Sequence, residues 1–345
     1  MHLKKWLKFG GIAAGAIALA QIVKSFLPQR FDTETWYETG TLSTAPDLST
    51  FPHVEITFLR CGSTTIPEAI AVRGGSFAPT VISHSAVLVR HPKATFLYDT
   101  GLCSGIFSYL ADQPLLFRKT LANFAFEQSL LSHLRAANLR TGAIDFALLS
   151  HLHWDHVSGI PDIPGVPLRV NRVEYDASLL GLLDAHGGLV RRLVGNNAIE
   201  LFDCNGPAYE GFRSSHDLFG DGSVVLVPLP GHTAGNTGMF INRSNGPRLF
   251  LIGDAAWVSQ NYLRPATMHP FIWSAVTSDD ATARQTLIQL HHFAFRHPEI
   301  PLIAMHDAAM QDKMFVSQTR DVDSSTVTGN VELAPDTAEM YTDQR

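Results

Sequence analysis

The sequence predicts one large α/β domain, and three observations carry the prediction. Runs with the period-two alternation of strands, residues 54–60, 81–89 and 95–98, open the body of the chain. Leu130, Leu131, Leu134 and Ala137 then fall at helical spacing. The apolar run Ala147, Leu148, Leu149, Ser150 follows them, so a helix precedes a strand, as layered α/β packing requires. The 345 residues are 45% hydrophobic and 17% charged, with 26 Gly and 19 Pro, which suits a substantial core interrupted by many turns.

At the N-terminus, Lys4, Lys5 and Lys8 precede an uncharged apolar run from Phe9 to Ala20, the pattern of a targeting segment. The run is shorter than the roughly 20 residues that span a bilayer as a helix, although Ile22 and Val23 prolong it. Ala18, Leu19 and Ala20 offer an A-x-A cleavage pattern, whereas Lys24 beside Phe26 and Leu27 suits an uncleaved anchor. Either way an exported protein is expected, periplasmic, secreted or held to the membrane by its N-terminus; the competing reading is a buried N-terminal helix. Residues 1–30 are thus read as signal peptide or membrane anchor, 31–50 as a polar linker, 51–315 as the folded body and 316–345 as a flexible polar tail. A net charge of -6 argues against a nucleic-acid partner, because phosphate backbones are met by clustered Lys and Arg. Cys61, Cys103 and Cys204 are an odd set without C-x-x-C spacing, so neither a disulfide framework nor a thiolate metal site is implied. Each is read as a small buried hydrophobe.

Between the first two strands, Gly62 to Pro79 reads as a long surface loop near the site. Asp99 ends the third strand in a sharp turn, either as a turn residue or as a carboxylate orienting a nearby histidine. The aromatic stretch 102–126 either packs in the core or covers an apolar cleft. Glu127 to Leu139 is an expected helix. Residues 178–200, helical in propensity but broken by Gly187 and Gly188, are read as a cap. Val224 to Leu229 is an expected strand, and Gly238 to Asn242 with Arg248 to Ile252 an expected hairpin across Ser244, Asn245 and Gly246. Residues 257–276 look like a second aromatic loop, and Ser278, Asp279 and Asp280 like the start of a helix reaching about His297, with acids complementing its dipole. His291 and His292 on that helix are read as surface residues, and Pro301 to Met305 as a last short strand.

The chemistry is concentrated in HLHWDH, His151 to His156. If His151 and His153 lie where a strand frays, their i, i+2 spacing puts both imidazoles on one side, where a single metal can take both. Asp155 and His156 follow as the chain turns and project toward a second ion. Neutral imidazole and carboxylate suit Zn²⁺, and also iron, manganese or cobalt. Three more strand ends carry donors: His232 in PGHTAGN, Asp254 in GDAAW and His306 in MHD. These converge on one sheet edge, where α/β folds place ligand sites.

This set resembles the metallo-β-lactamase superfamily, over a span from about Val54 to Asp307. The resemblance implies a four-layer αβ/βα sandwich of two mixed sheets flanked by helices, with two Zn²⁺ between them. It implies that His151, His153 and His232 hold the first metal, that Asp155, His156 and His306 hold the second, and that Asp254 bridges them. Asp254 stands where true β-lactamases of the fold carry Cys or His, which speaks against antibiotic hydrolysis. A Glu at position 153 would have pointed to the di-iron oxygen-reducing branch, and the residue is His. LLSHLHWDHVSG, PGHTAGN, GDAAW and MHD look most like the N-acyl-homoserine lactonase group. The implied activity is opening of a lactone or small ester by a metal-bridging hydroxide, with Asp155 moving a proton to the leaving group. Such lactonases often carry a Tyr three residues after the bridging Asp; here that position is Trp257, and Tyr262 is the candidate replacement. Alternative readings are a phosphotriester or phosphodiester hydrolase, a glyoxalase II-like thioesterase, and a non-catalytic metal-binding module.

Overall fold

The computed structural model describes residues 20–29, 31, 46–179 and 188–314. Most of the expected targeting run, most of the linker and the tail 316–345 lie outside the described residues. Among those described, no helix is long and apolar enough to cross a membrane.

The chain forms β1 (Glu55–Pro67), α1 (Glu68–Ala71), β2 (Pro79–His91), β3 (Ala94–Tyr98), α2 (Ile106–Leu110), α3 (Leu115–Lys119), β4 (Ala125–Phe126), α4 (Leu130–Ala136) and β5 (Phe146–Leu148). There follow α5 (Trp154–Val157), β6 (Leu168–Asn171), α6 (Arg172–Leu179), α7 (Leu189–Val194), β7 (Ile199–Phe202), β8 (His216–Asp217), β9 (Val224–Pro228), β10 (Thr237–Ile241) and β11 (Leu249–Leu251). The last elements are α8 (Ser259–Leu263), α9 (Pro270–Val276), α10 (Asp280–Arg296), β12 (Leu302–Ile303) and a helix over 308–314. One sheet has the order β4-β1-β2-β3-β5-β6-β7 and the other β12-β11-β10-β9-β8. Both are mixed: β3, β5, β6 and β7 run parallel and β1, β2 and β3 antiparallel, while β12 joins an antiparallel sheet in parallel.

Side-chain alternation explains the layering. In β2, Val87 and Val89 enter the core between the sheets, while Leu88 faces the helices outside; Phe96 and Tyr98 against Leu97, and Phe146 and Leu148 against Ala147, repeat the pattern. In the second sheet, Val224 and Leu226 face inward, and Val225 and Val227 meet Leu287, Leu290 and Phe293 of α10. Strands apolar on both faces need cover on both, and the result is helix, sheet, sheet, helix.

Several boundaries differ from those expected. Gly62 to Pro79 is largely not a loop: after a register shift between Arg60 and Gly62, β1 keeps pairing with β2 as far as Pro67 opposite Pro79, and α1 follows. Ser63, Thr64 and Thr65 look loop-like, yet their backbone groups are taken up by the ladder. The aromatic stretch 257–276 contains α8 and α9. Asn261 Oδ1 accepts from the Trp257 and Val258 amides to start α8, and Pro270 occupies the first turn of α9, where proline is tolerated. α4 is shorter than expected because Ser129 caps it, while the Glu127 and Gln128 amides donate to the Cys61 carbonyl. No cap forms from the described part of 178–200: Leu189, Val190 and Leu193 of α7 pack into the core outside the first sheet, and 199–202 is strand β7. His291 is not a plain surface residue, since its Nδ1 lies 2.8 Å from the Tyr262 carbonyl. α10 starts as expected, with Asp279 accepting from the Thr282 amide.

Cys61, Cys103 and Cys204 are all free thiols, the first two buried as expected and Cys204 only half-buried, and desolvation pushes them up to about 12, 11 and 12. The native protein is therefore expected to resist a disulfide-exchange thiol reagent at pH 8, while denatured chain reacts at all three positions. Rapid labelling of folded protein would contradict this burial.

Candidate metal centre

His151 lies just past the end of β5, where the strand frays into the loop that leads to α5. Its Nδ1 is 2.9 Å from the Ser150 hydroxyl, and its Nε2 is buried without a hydrogen-bond partner. His153 caps α5 in extended conformation, and Asp155 and His156 belong to the helix. His232 arrives on the turn after β9. Gly231 has φ +126°, and a Cβ there would overlap the backbone of Ala283, so the ligand loop lies flush on the start of α10. The Ser278 amide donates to the His232 carbonyl and the Asp279 amide to that of Gly231, fixing the turn. Asp254 follows β11, its amide 3.2 Å from Asn236 Oδ1. His306 follows β12, and its Nδ1 is 2.7 Å from the Ser83 carbonyl on β2, which joins the two sheets at the site.

The structure brings all seven residues together. Donor atoms of His151, His153 and His232 form one group within 4.8 Å, those of His151, His156 and Asp254 a second, and those of His84, Asp155 and His306 a third. Asp254 lies among them: Oδ2 is 3.0 Å from His306 Nε2, 3.5 Å from His232 Nε2 and 4.0 Å from His151 Nε2, and Oδ1 is 3.3 Å from His156 Nε2. His153 Nδ1 and His232 Nε2 face each other at 2.9 Å. His151 Nε2, His156 Nε2 and Asp254 Oδ1 are buried yet have no hydrogen-bond partner, a costly arrangement that divalent cations would relieve. The donor set thus fits two ions held by nitrogen and oxygen.

The electrostatics agree. Burial holds His151 and His153 well below the usual imidazole range and His232 at about 4, with neighbouring histidines adding to the effect, so these rings are neutral and ready to donate a lone pair. Burial opposes charge on His156 and His306 too, but the carboxylates around them, Asp254 foremost, prevail and raise both. Burial likewise works against the Asp155 and Asp254 carboxylates, and the surrounding imidazoles outweigh it, keeping both ionised.

Asp99 fulfils both readings made of it. It makes the turn, with φ +55°, and it orients a histidine: Oδ2 is 2.7 Å from His156 Nδ1 and accepts from the Ser150 hydroxyl, while Oδ1 accepts from the Ser150 amide. Asp99→Asn would set an amide N–H against His156 Nδ1 and disfavour the tautomer that leaves Nε2 its lone pair. Metal affinity is expected to fall about 10–100-fold, read by titration against a chelating indicator; unchanged affinity would remove Asp99 from this role.

Tyr262 does not replace the missing phenol. It is fully buried, and its hydroxyl donates to the Leu302 carbonyl at 3.0 Å, inside the core of the second sheet. Tyr262→Phe is therefore expected to change kcat/KM less than twofold and stability by about 1 kcal/mol; a large fall in kcat alone would return Tyr262 to the site. Trp257 does reach the centre, its indole N–H donating to Asp254 Oδ2 at 3.1 Å.

Two residues escaped the sequence reading. His84 is buried on β2 with Nδ1 3.5 Å from Asp155 Oδ2. Its signal was present: Ser83, His84 and Ser85 are three consecutive polar residues within a buried strand. Glu174, in the first turn of α6, accepts from the Leu152 amide and from the Gly235 amide, both at 2.9 Å, and so ties the two histidine loops together. Nothing in its sequence context separates it from an ordinary acid at a helix start.

The centre opens into a cleft of about 320 Å³. Ile66, Ile70, Leu121, Trp154, Phe271 and Ile272 give it apolar walls, and Lys119 and Asn123 lie at its lining. In the aromatic stretch 102–126 the rings take the core role: Phe117 packs in the core and Phe124 against it, stacking on Trp154 and meeting His84 edge-on, while the stretch reaches the cleft through Lys119, Leu121 and Asn123 instead.

Residues 79–284 match the family profile described as the metallo-beta-lactamase superfamily. Among curated proteins, the N-acyl homoserine lactonase AttM of Agrobacterium fabrum is 26% identical over 136 residues, covering 39% of this chain and 50% of that protein. This chain therefore spans about half the length of those lactonase relatives. The Mycobacterium tuberculosis protein named Probable metallo-hydrolase Rv2300c is 26% identical over 282 residues, covering 78% of this chain and 85% of that protein. Among solved structures, an N-acyl homoserine lactone hydrolase with the product N-hexanoyl-L-homoserine at its catalytic metal centre superposes with a TM-score of 0.58 at 16% identity, over 76% of this chain and 96% of that one. At that identity the likeness establishes the fold.

Proposed function

The chain belongs to the metallo-beta-lactamase superfamily of metallo-hydrolases, and from that premise we propose that it opens a lactone or cleaves a small ester carrying an apolar group, with N-acyl homoserine lactones as the leading substrate class. One observation carries the reading: a nest of buried imidazoles and carboxylates with unsatisfied donor atoms stands at the floor of a cleft with apolar walls. The relatives named as lactonases support the substrate class.

We assign His151, His153 and His232 to one ion, Asp155, His156 and His306 to the other, and Asp254 to both, with Zn²⁺ as the leading metal. Bound there, two divalent cations would polarise the carbonyl and bring the pKa of water from 15.7 toward about 7. The protein's own part is positional. Asp155 faces the cleft and is ionised, so its carboxylate is placed to take the proton of the attacking water and pass it to the departing alkoxide. His84 Nδ1 and His306 Nε2 lie 3.5 and 3.4 Å from Asp155 Oδ2 and bound the space that carboxylate occupies. A new C–O bond forms at the carbonyl carbon as the ring C–O bond breaks, and a lactone yields a hydroxy acid. Trp257 keeps Asp254 oriented rather than touching the carbonyl oxygen, so carbonyl binding relies on other groups.

The test is a panel of N-acyl homoserine lactones, aryl esters and a phosphotriester on metal-loaded full-length protein. Lactone opening that is lost on chelation and restored by Zn²⁺ is the expected result. A higher kcat/KM for the phosphotriester would replace the lactonase reading, and metal binding without turnover of any substrate would favour a binding module.

A further inference from the structure

Residues 20–29 are seated beside the cleft. Arg73 donates to the Lys24 and Leu27 carbonyls, both at 3.2 Å, Ser25 Oγ lies 2.9 Å from His269 Nε2, and the Thr267 hydroxyl donates to Gln29. The Phe26 ring packs between those of His269 and Phe77, with centroids 4.6 and 5.5 Å away. Pro28 lies so close to Gly74 that a Cβ there would come within 2.6 Å of the Pro28 Cα. His269 caps α9, which lines the cleft through Phe271, Ile272, Ala275 and Val276. The segment thus packs against the cap of a cleft-lining helix and forms with it a rim outside the cleft lining itself.

The side chains it leaves outside are apolar. Ile22, Val23 and Leu27 are each more than half exposed, and so are Phe77, whose ring meets Phe26, and Phe271, two residues after His269. Large apolar side chains left exposed along one docked segment and its neighbours mark an interaction surface. The chain that leads into this rim names the partner: Phe9 to Ala20 is uncharged and apolar and follows Lys4, Lys5 and Lys8, a composition that partitions to anionic lipid surfaces.

We propose that this rim docks on the surface of a phospholipid bilayer, with Ile22, Val23, Leu27, Phe77 and Phe271 entering the interface, so that the cleft opens where amphiphilic substrates concentrate. Lys24, exposed between Val23 and Ser25, meets the headgroups. The docking does not depend on which ester is hydrolysed.

The test reads insertion, not turnover. Full-length Phe77→Cys, Phe271→Cys and, as control, Glu200→Cys on the far edge strand β7 are labelled with an environment-sensitive fluorophore. Cys61 and Cys103 are buried, and the half-buried Cys204 is replaced by Ser in all three variants so that it does not compete. With vesicles of phosphatidylcholine and phosphatidylglycerol, the expected result is a blue shift and protection from an aqueous quencher at 77 and 271 and none at 200. Combined Ile22→Ser, Val23→Ser and Leu27→Ser should weaken vesicle co-sedimentation by about tenfold while leaving hydrolysis of a water-soluble ester unchanged. The proposal is overturned by failure to co-sediment, by labels at 77 and 271 that stay aqueous on bound protein, by equal shifts at all three sites, or by shifts that follow protein concentration without vesicles and so report a second copy of the chain.

Discussion

Asp254→Ala is expected to lower hydrolysis about a thousandfold and to leave the purified protein with one metal equivalent or fewer. The carboxylate has four imidazole neighbours, His151, His156, His232 and His306, within 4.0 Å, and so touches both halves of the donor set. Paired ions contribute several kcal/mol to stabilising developing charge, and each 1.36 kcal/mol is a factor of ten in rate. Asp254→Asn keeps the volume and loses the charge, and should show most of the same defect. Metal analysis beside steady-state kinetics decides the matter. Two retained equivalents with activity within tenfold of the parent would mean that Asp254 neither bridges nor organises the centre.

Glu174→Ala should be the most damaging change outside the donor set. The buried carboxylate satisfies one amide in the HLHWDH loop and one in the PGHTAGN loop. Removal strands two buried N–H groups, each costing about 1–3 kcal/mol, and frees the loops to drift apart. A loss of roughly 2–6 kcal/mol is expected, with metal affinity down by about 10–100-fold, as for groups that orient ligands from behind. Glu174→Gln keeps one acceptor but points an amide N–H at the other donor, and should fall between parent and alanine. Thermal unfolding of the metal-loaded proteins orders the three. An alanine variant as stable as the parent would show that the loops hold their positions without this clamp.

Much of the centre was legible in one dimension because its donors sit at strand ends. His151, His232, Asp254 and His306 each follow an apolar run read as a buried strand, His232 and Asp254 directly after Gly231 and Gly253, and His153, Asp155 and His156 come with His151 in one motif. At 62–79 and 257–276 the small polar residues and prolines resemble loop sequence, yet Thr64 and Thr65 pair in a ladder and Pro270 begins a helix. Tyr262 illustrates the opposite failure: five residues from Trp257 in sequence, it points to the Leu302 carbonyl, because sequence proximity does not fix which way a helical side chain turns.

From the sequence alone came the α/β layering, the positions of the longer apolar strands and the identity of the seven converging residues, since periodicity and donor chemistry are local properties of the chain. The tertiary structure decided that His84 stands behind Asp155, that Glu174 joins two loops, that Tyr262 is remote, and that residues 20–29 pack against the cap of a cleft-lining helix. Each of these is a contact between residues far apart in the chain or a choice of side-chain direction, and such contacts are set only when the two sheets pack and bring their edges together.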